Sequence, residues 1–141
     1  LPDGLSQDSL HMLMTCEPQI KEISDLISRT DVLLFGIGTA MRMADQRHIA
    51  DEVRKQLVDN HAVGEALGQY CDMDGKLIYS TNNIGLSLPD VAKVPNVIAV
   101  AGGQEKASAI IGVMRACQKG ILIIDEQAAE GMRQLLQISA L

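Results

Sequence analysis

Residues 96–115 have the sequence NVIAVAGGQEKASAIIGVMR, and this stretch decides the class of fold. Residues 97–100 are mostly β-branched, which predicts a buried strand. The run ends at Gly102 and Gly103, and Ala-rich sequence of helical character follows directly. The two glycines are therefore expected at the carboxyl end of a strand, where a helix begins.

A glycine turn of this kind can bind an anion. Its backbone N–H groups and the positive end of the helix dipole point into the crevice, and Lys106 adds a full charge. The turn lacks the spacing of a P-loop and the G-x-G-x-x-G of a dinucleotide fold. The alternative is an ordinary connector with a solvated lysine. The pattern favours a phosphate site formed by Gly102, Gly103 and Lys106.

Length and charge limit the possible functions. The chain has 141 residues, enough for one domain with an aliphatic core and too few for two of ordinary size. Its net charge of −6 argues against unassisted binding to a nucleic-acid backbone. No apolar run is long enough to cross a bilayer, and the first residues lack the basic start of a signal peptide. Three cysteines without C-x-x-C spacing predict neither a disulfide framework nor a zinc site, so a cytoplasmic protein is expected.

The rest of the chain alternates strands with helices. Two further apolar runs predict buried strands, and three segments have helical periodicity. A turn sequence at residues 72–75 lies between two short apolar segments, which predicts a hairpin. The expected fold is α/β, a Rossmann-like parallel sheet with flanking helices and an antiparallel hairpin. The further strands are expected at residues 31–35 and 121–124, the helices at 18–29, 49–58 and 127–136, and the hairpin arms at 66–71 and 77–80.

Ligands of such sheets bind outside the carboxyl ends of the strands. Gly36 and Gly38 follow the first strand, so they are expected to meet the second glycine turn there. Glu65 lies between two glycines at the start of the hairpin. Its carboxylate could accept hydrogen bonds from sugar hydroxyls, and a nearby Lys106 would favour the charged form. The alternative for Glu65 is a solvated loop acid.

Other polar residues carry weaker signals. Arg42 and Arg47 follow the first glycine turn and could reach a phosphate, although either alone is more typical of a solvated segment. Asp72 and Asp74 have the pattern of turn residues rather than metal ligands. Asp125 is expected to cap the last helix. No catalytic residue, metal site or cofactor is predicted.

The chain resembles, over almost its whole length, the C-terminal part of the sugar-binding domain of SorC/DeoR-type bacterial transcriptional regulators. The resemblance implies a fold like that of sugar-phosphate isomerases and deaminases, and a role as a sensor of phosphorylated sugars. It also implies an N-terminal winged helix-turn-helix, absent from residues 1–141, through which operator DNA would be bound. The resemblance rests on the segments GIGTA, AVGEALGQYCDMDG, NIGLSL, VIAVAGGQEKASAI and LIIDEQAA, in this order.

Within this family the chain is most similar to repressors of glycolytic genes, which implies fructose 1,6-bisphosphate as the effector. By motif, Glu65 matches a sugar-contacting glutamate and Lys106 a phosphate-contacting lysine. Gln46 and Arg47 match a segment in which relatives have paired arginines, so Gln46 is a departure. A homodimer or homotetramer, no membrane association and no cofactor are expected.

An enzyme is the alternative, since a sugar-phosphate isomerase or deaminase would share this fold. Such an enzyme needs a positioned base beside the substrate carbons. The sequence offers Glu65 but no His-Asp or paired-carboxylate arrangement at the glycine turns. The residues therefore favour a sensor without catalytic activity.

Overall fold

A computed structural model describes residues 5–137 of the chain. Its centre is a parallel three-stranded sheet in the order β1-β6-β7, formed by Val32–Gly36, Asn96–Ala101 and Ile121–Ile124. Each of these strands is a short apolar run followed by a turn. The three predicted strands and their parallel arrangement are confirmed.

A second sheet is antiparallel and has four strands in the order β2-β3-β4-β5. The predicted hairpin is confirmed for β4 and β5, which pair across the turn that follows β4. Its first arm was expected to be one strand, but Leu67 and Gly68 adopt positive φ angles of 55° and 78° and reverse the chain between β3 and β4. The strands are β2 (Gly38–Thr39), β3 (Gly64–Ala66), β4 (Gln69–Cys71) and β5 (Leu77–Ser80).

Within residues 5–137, six α-helices connect and cover these strands. The helix expected to begin at Pro18 does so, and the helices predicted at residues 49–58 and 127–136 are displaced by one or two residues. Two helices, Gln7–Cys16 and Ala40–Gln46, were not predicted. The second has only seven residues, too few to show a clear helical periodicity. The helices are α1 (Gln7–Cys16), α2 (Pro18–Ser28), α3 (Ala40–Gln46), α4 (Asp51–Asp59), α5 (Ala107–Cys117) and α6 (Glu126–Leu135); Leu88–Lys93 and Gln104–Lys106 are 3-10 helices.

The larger core cluster lies between the two sheets and is mainly aliphatic, as expected, although it includes Phe35. A second cluster surrounds the buried Tyr70. Helix α5 fills the space between the sheets and buries most of its side chains, including Ile110 and Val113. Val97 and Ala99 of β6 point toward it. No helix within residues 5–137 is long and apolar enough to span a membrane.

Two glycines allow α5 to contact the antiparallel sheet directly. A Cβ atom on Gly64 would lie 2.8 Å from the carbonyl oxygen of Ala109, and one on Gly112 would lie 2.4 Å from that of Asp72. Both distances are shorter than a carbon–oxygen contact allows. The close approach therefore requires glycine on both surfaces.

Replacing Gly112 with alanine is expected to lower the free energy of unfolding by about 1 to 3 kcal/mol, because the new methyl group must displace backbone. Urea denaturation followed by circular dichroism measures the change. Gly85→Ala is the matched control: its Cβ would meet only the Asn83 side chain, at 3.5 Å, and the expected change is within about 0.5 kcal/mol. Equal stability of the two variants would show that α5 has room to move.

No element within residues 5–137 covers the other face of the parallel sheet, which is called the bare face below. Parallel sheets are normally covered on both faces, because their strands are apolar on both sides. Here large aliphatic side chains from all three strands are exposed, Leu34 by 66% and Ile121 by 63%. The same face carries Val32, Val100 and Ile123.

Candidate functional site

The candidate site lies where the carboxyl edge of the parallel sheet meets the antiparallel sheet. Gly36 ends β1 beside Val100 of β6. The chain then passes directly into β2, where Gly38 pairs with Glu65 of β3. The expected convergence at the carboxyl ends of the strands thus brings Glu65 next to the first glycine turn.

A cavity of about 320 Å³ occupies this junction. Its lining comes from the end of β1, from β2, α3 and β3, and from the 3-10 turn before α5. Six of the residues singled out from the sequence line it together: Gly36, Gly38, Arg42, Gln46, Glu65 and Lys106. Ile37, Thr39 and Met43 complete the lining.

Glu65 is the buried acid of the cavity, with only 2% of its surface exposed. Its Oε1 accepts hydrogen bonds from the Gly68 backbone N–H at 2.7 Å and from Nη2 of Arg47 at 3.2 Å. Its Oε2 lies 3.9 Å from the position that a Cβ atom on Gly38 would take, so this oxygen faces the first glycine turn. The solvated-loop alternative for Glu65 is therefore wrong.

Arg47 contacts Glu65 from outside the cavity. It follows α3 and lines a neighbouring cavity of about 400 Å³ instead. The ion pair thus joins Glu65, which lines the first cavity, to Arg47, which lines the second. Arg47 compensates the buried negative charge and fixes the carboxylate, because a charged hydrogen bond is both strong and directional.

The second glycine turn contacts the chain's own carboxylate. The Gly103 N–H donates to both oxygens of Asp125, at 2.9 and 3.1 Å. Asp125 also caps α6 as predicted, accepting from the Ala128 N–H at 2.8 Å. Hydrogen bonds from Ala128 and then Gly103 lower the pKa of Asp125. Gly102 and Gly103 lie outside the cavity lining, and Lys106 is the residue of this turn that reaches it.

Burial raises the pKa of Cys71 to about 12 and that of Cys117 to about 11, so both thiols are protonated at neutral pH and are poor nucleophiles. Asp72 accepts the backbone N–H groups of Asp74 and Lys76, as expected for a turn residue. Within residues 5–137 no group of three or more potential ligands could hold a metal ion.

Known proteins share this arrangement of elements. The family model Sugar-bind, which describes a sugar-binding domain, matches residues 1–134. The chain belongs to this family of sugar-binding domains, found in SorC/DeoR-type regulators. It is 37% identical over 130 residues to the central glycolytic genes regulator of Bacillus subtilis, covering 92% of the chain and 38% of the relative. It is 27% identical to the deoxyribonucleoside regulator of the same organism. These relatives are transcriptional regulators, not enzymes.

Solved structures of sugar-binding regulators have the same fold. A SorC family transcriptional regulator from Enterococcus faecalis matches with a TM-score of 0.82 and 37% identity, covering 91% of the chain and 52% of that protein. The full-length sorbitol operon regulator SorC of Klebsiella pneumoniae matches with a TM-score of 0.74 and 24% identity, which shows the fold alone. The chain thus spans about half of the first structure and 38% of the B. subtilis regulator.

Proposed function

We propose that the chain is the effector-binding part of a bacterial repressor of glycolytic genes, and that its cavity binds a phosphorylated sugar, fructose 1,6-bisphosphate. The observation that carries the proposal is the combination of a buried carboxylate, Glu65, and a half-buried lysine, Lys106, in the lining of one cavity. Glu65 offers acceptors for sugar hydroxyls, and Lys106 offers a charged donor for a phosphate.

The glycines of the first turn support this use of the cavity. A Cβ atom on Gly38 would lie 2.4 Å from Cγ of Met43 and would approach Oε2 of Glu65. Glycine at this position therefore keeps open the space between β2 and the carboxylate. A sugar ring could approach the backbone there, with its hydroxyls directed to Glu65.

In the proposed mechanism the effector shifts a homodimer or homotetramer between states that differ in affinity for operator DNA, by binding one state more tightly. Operator DNA is contacted by a separate N-terminal winged helix-turn-helix. The net charge of −6 supports this division, because an acidic domain is repelled by the phosphate backbone. The protein would act in the cytoplasm, where sugar phosphates are found.

We also propose that residues 1–141 are the C-terminal part of a larger effector-binding domain, whose remaining part covers the bare face of the parallel sheet. Two observations support this. The exposed face is apolar on all three strands, and an apolar surface of this kind is buried in α/β folds. The E. faecalis relative is about twice as long as the segment that matches.

Replacing Lys106 with alanine is expected to weaken the binding of fructose 1,6-bisphosphate by roughly 10- to 100-fold, because one charge-assisted phosphate contact is lost. Isothermal titration calorimetry on the full-length protein measures the affinity. Lys55→Ala is the control, since Lys55 is an exposed lysine of α4 away from the cavity lining. Equal affinities of the Lys106→Ala variant and the unmodified protein would exclude Lys106 as a phosphate ligand.

A further inference from the structure

Two cations from different elements line the cavity. Lys106 belongs to the 3-10 turn before α5, and Arg42 belongs to α3. Glu65 lies on β3 and forms an ion pair with Arg47. A ligand in the cavity would therefore meet two positive charges that come from separate elements.

Arg42 keeps its guanidinium available for a ligand. Asp45 is the acidic residue of α3, and it forms an ion pair with Arg54 of α4. Within residues 5–137, neither Arg42 nor Lys106 forms an ion pair. Arg47, the nearest arginine along the chain, is directed to Glu65 and to the neighbouring cavity.

Helix geometry explains why Arg42 lines the cavity while Arg47 does not. Arg42 and Gln46 are four residues apart on α3, so their side chains lie on the same face of the helix, one turn apart. Arg47 is the residue after the helix and points elsewhere. The face that meets the cavity thus presents an amide and a guanidinium, and a guanidinium fits the geometry of a phosphate group.

We infer that Arg42 binds a second anionic group of the effector, distinct from the group bound by Lys106, while Arg47 serves to position Glu65. The inference rests on the proposed sugar-phosphate function and assigns a specificity-determining role within it. Arg42 makes the cavity selective for a sugar with two phosphates over a sugar with one.

The test compares the affinities of fructose 1,6-bisphosphate, fructose 1-phosphate and fructose 6-phosphate by calorimetry on the full-length protein. Arg42→Ala is expected to weaken binding of the bisphosphate on the order of 10- to 100-fold and to change binding of the more tightly bound monophosphate by less than about threefold. Arg42→Lys is expected to recover part of the selectivity. Arg29→Ala, which removes an exposed arginine at the end of α2, controls for the change in net charge.

The possible failures are distinguishable. If the unmodified protein binds none of the three sugars, both the proposed function and the role of Arg42 are refuted. If it prefers the bisphosphate and the Arg42→Ala variant keeps the same preference, only the role of Arg42 is refuted. An equal loss for the bisphosphate and the monophosphate would also refute it, since Arg42 would then act on the cavity as a whole.

Discussion

Replacing Glu65 with alanine is expected to lower the free energy of unfolding by about 3 to 5 kcal/mol, as when one partner of a buried ion pair is removed. The carboxylate is buried, and its Oε1 accepts bonds from both Arg47 and the Gly68 N–H. Without it the guanidinium loses its counter-charge and the turn between β3 and β4 loses an acceptor. The variant is also expected to lose most of its affinity for a sugar phosphate.

Chemical denaturation of the full-length protein and its variants measures this stability. The double variant Glu65→Ala/Arg47→Ala is the informative comparison, because removing both charges leaves neither of them buried alone. The double variant is expected to lose less unfolding free energy than the two single variants lose in sum. The difference, the coupling energy, is expected to be about 0.5 to 3 kcal/mol. A loss below about 1 kcal/mol for Glu65→Ala would mean that the pair contributes no more to stability than a surface ion pair does. That result would contradict its structural role.

Replacing Leu34 with lysine is expected to change the stability of the full-length protein much more than that of the isolated segment. In the isolated segment Leu34 is 66% exposed, so the change in stability is expected to be within about 0.5 kcal/mol. In the full-length protein the proposed covering part would enclose a new unpaired charge, and a loss of at least about 3 kcal/mol is expected. Denaturation of both proteins, with and without the substitution, measures the difference.

Val58→Lys is the matched control, since Val58 is 56% exposed on α4 and lies away from the bare face. It is expected to be neutral in both proteins. A neutral Leu34→Lys in the full-length protein would contradict the proposed cover. If instead the isolated segment forms dimers in sedimentation experiments and Leu34→Lys dissociates them, the face is covered by a second copy of this chain.

The parallel sheet was predictable because its signals are local. Each strand is a short apolar run that ends in glycine or a capping aspartate, and parallel strands place such ends at one edge. The antiparallel sheet was harder to predict from the sequence. β2 has two residues, and Leu67 adopts a positive φ angle that its residue type does not indicate. The pairing of Gly38 with Glu65, both of which line the cavity, depends on contacts between distant segments.

The sequence predicted which residues belong to the candidate site better than it predicted how they are arranged. Glu65 and Lys106 were found because their neighbours are glycines in a recognisable pattern, and both line the cavity. The role of Asp125 at Gly103 could not be predicted, because it depends on how β7 is aligned with β6. Arg42 lines this cavity and Arg47 the neighbouring one because of the position of α3, a helix that the sequence pattern does not predict.

The most direct test of sugar-phosphate sensing is the melting temperature of the full-length protein with fructose 1,6-bisphosphate, measured together with the amount of sugar recovered. A ligand at 100 times its dissociation constant stabilises the native state by about 2.7 kcal/mol. We expect a rise in melting temperature that is reduced by Glu65→Ala and by Lys106→Ala, with all of the sugar recovered unchanged. An unchanged melting temperature at saturating sugar, or conversion of the sugar that is abolished by Glu65→Ala, would contradict a sensor that only binds.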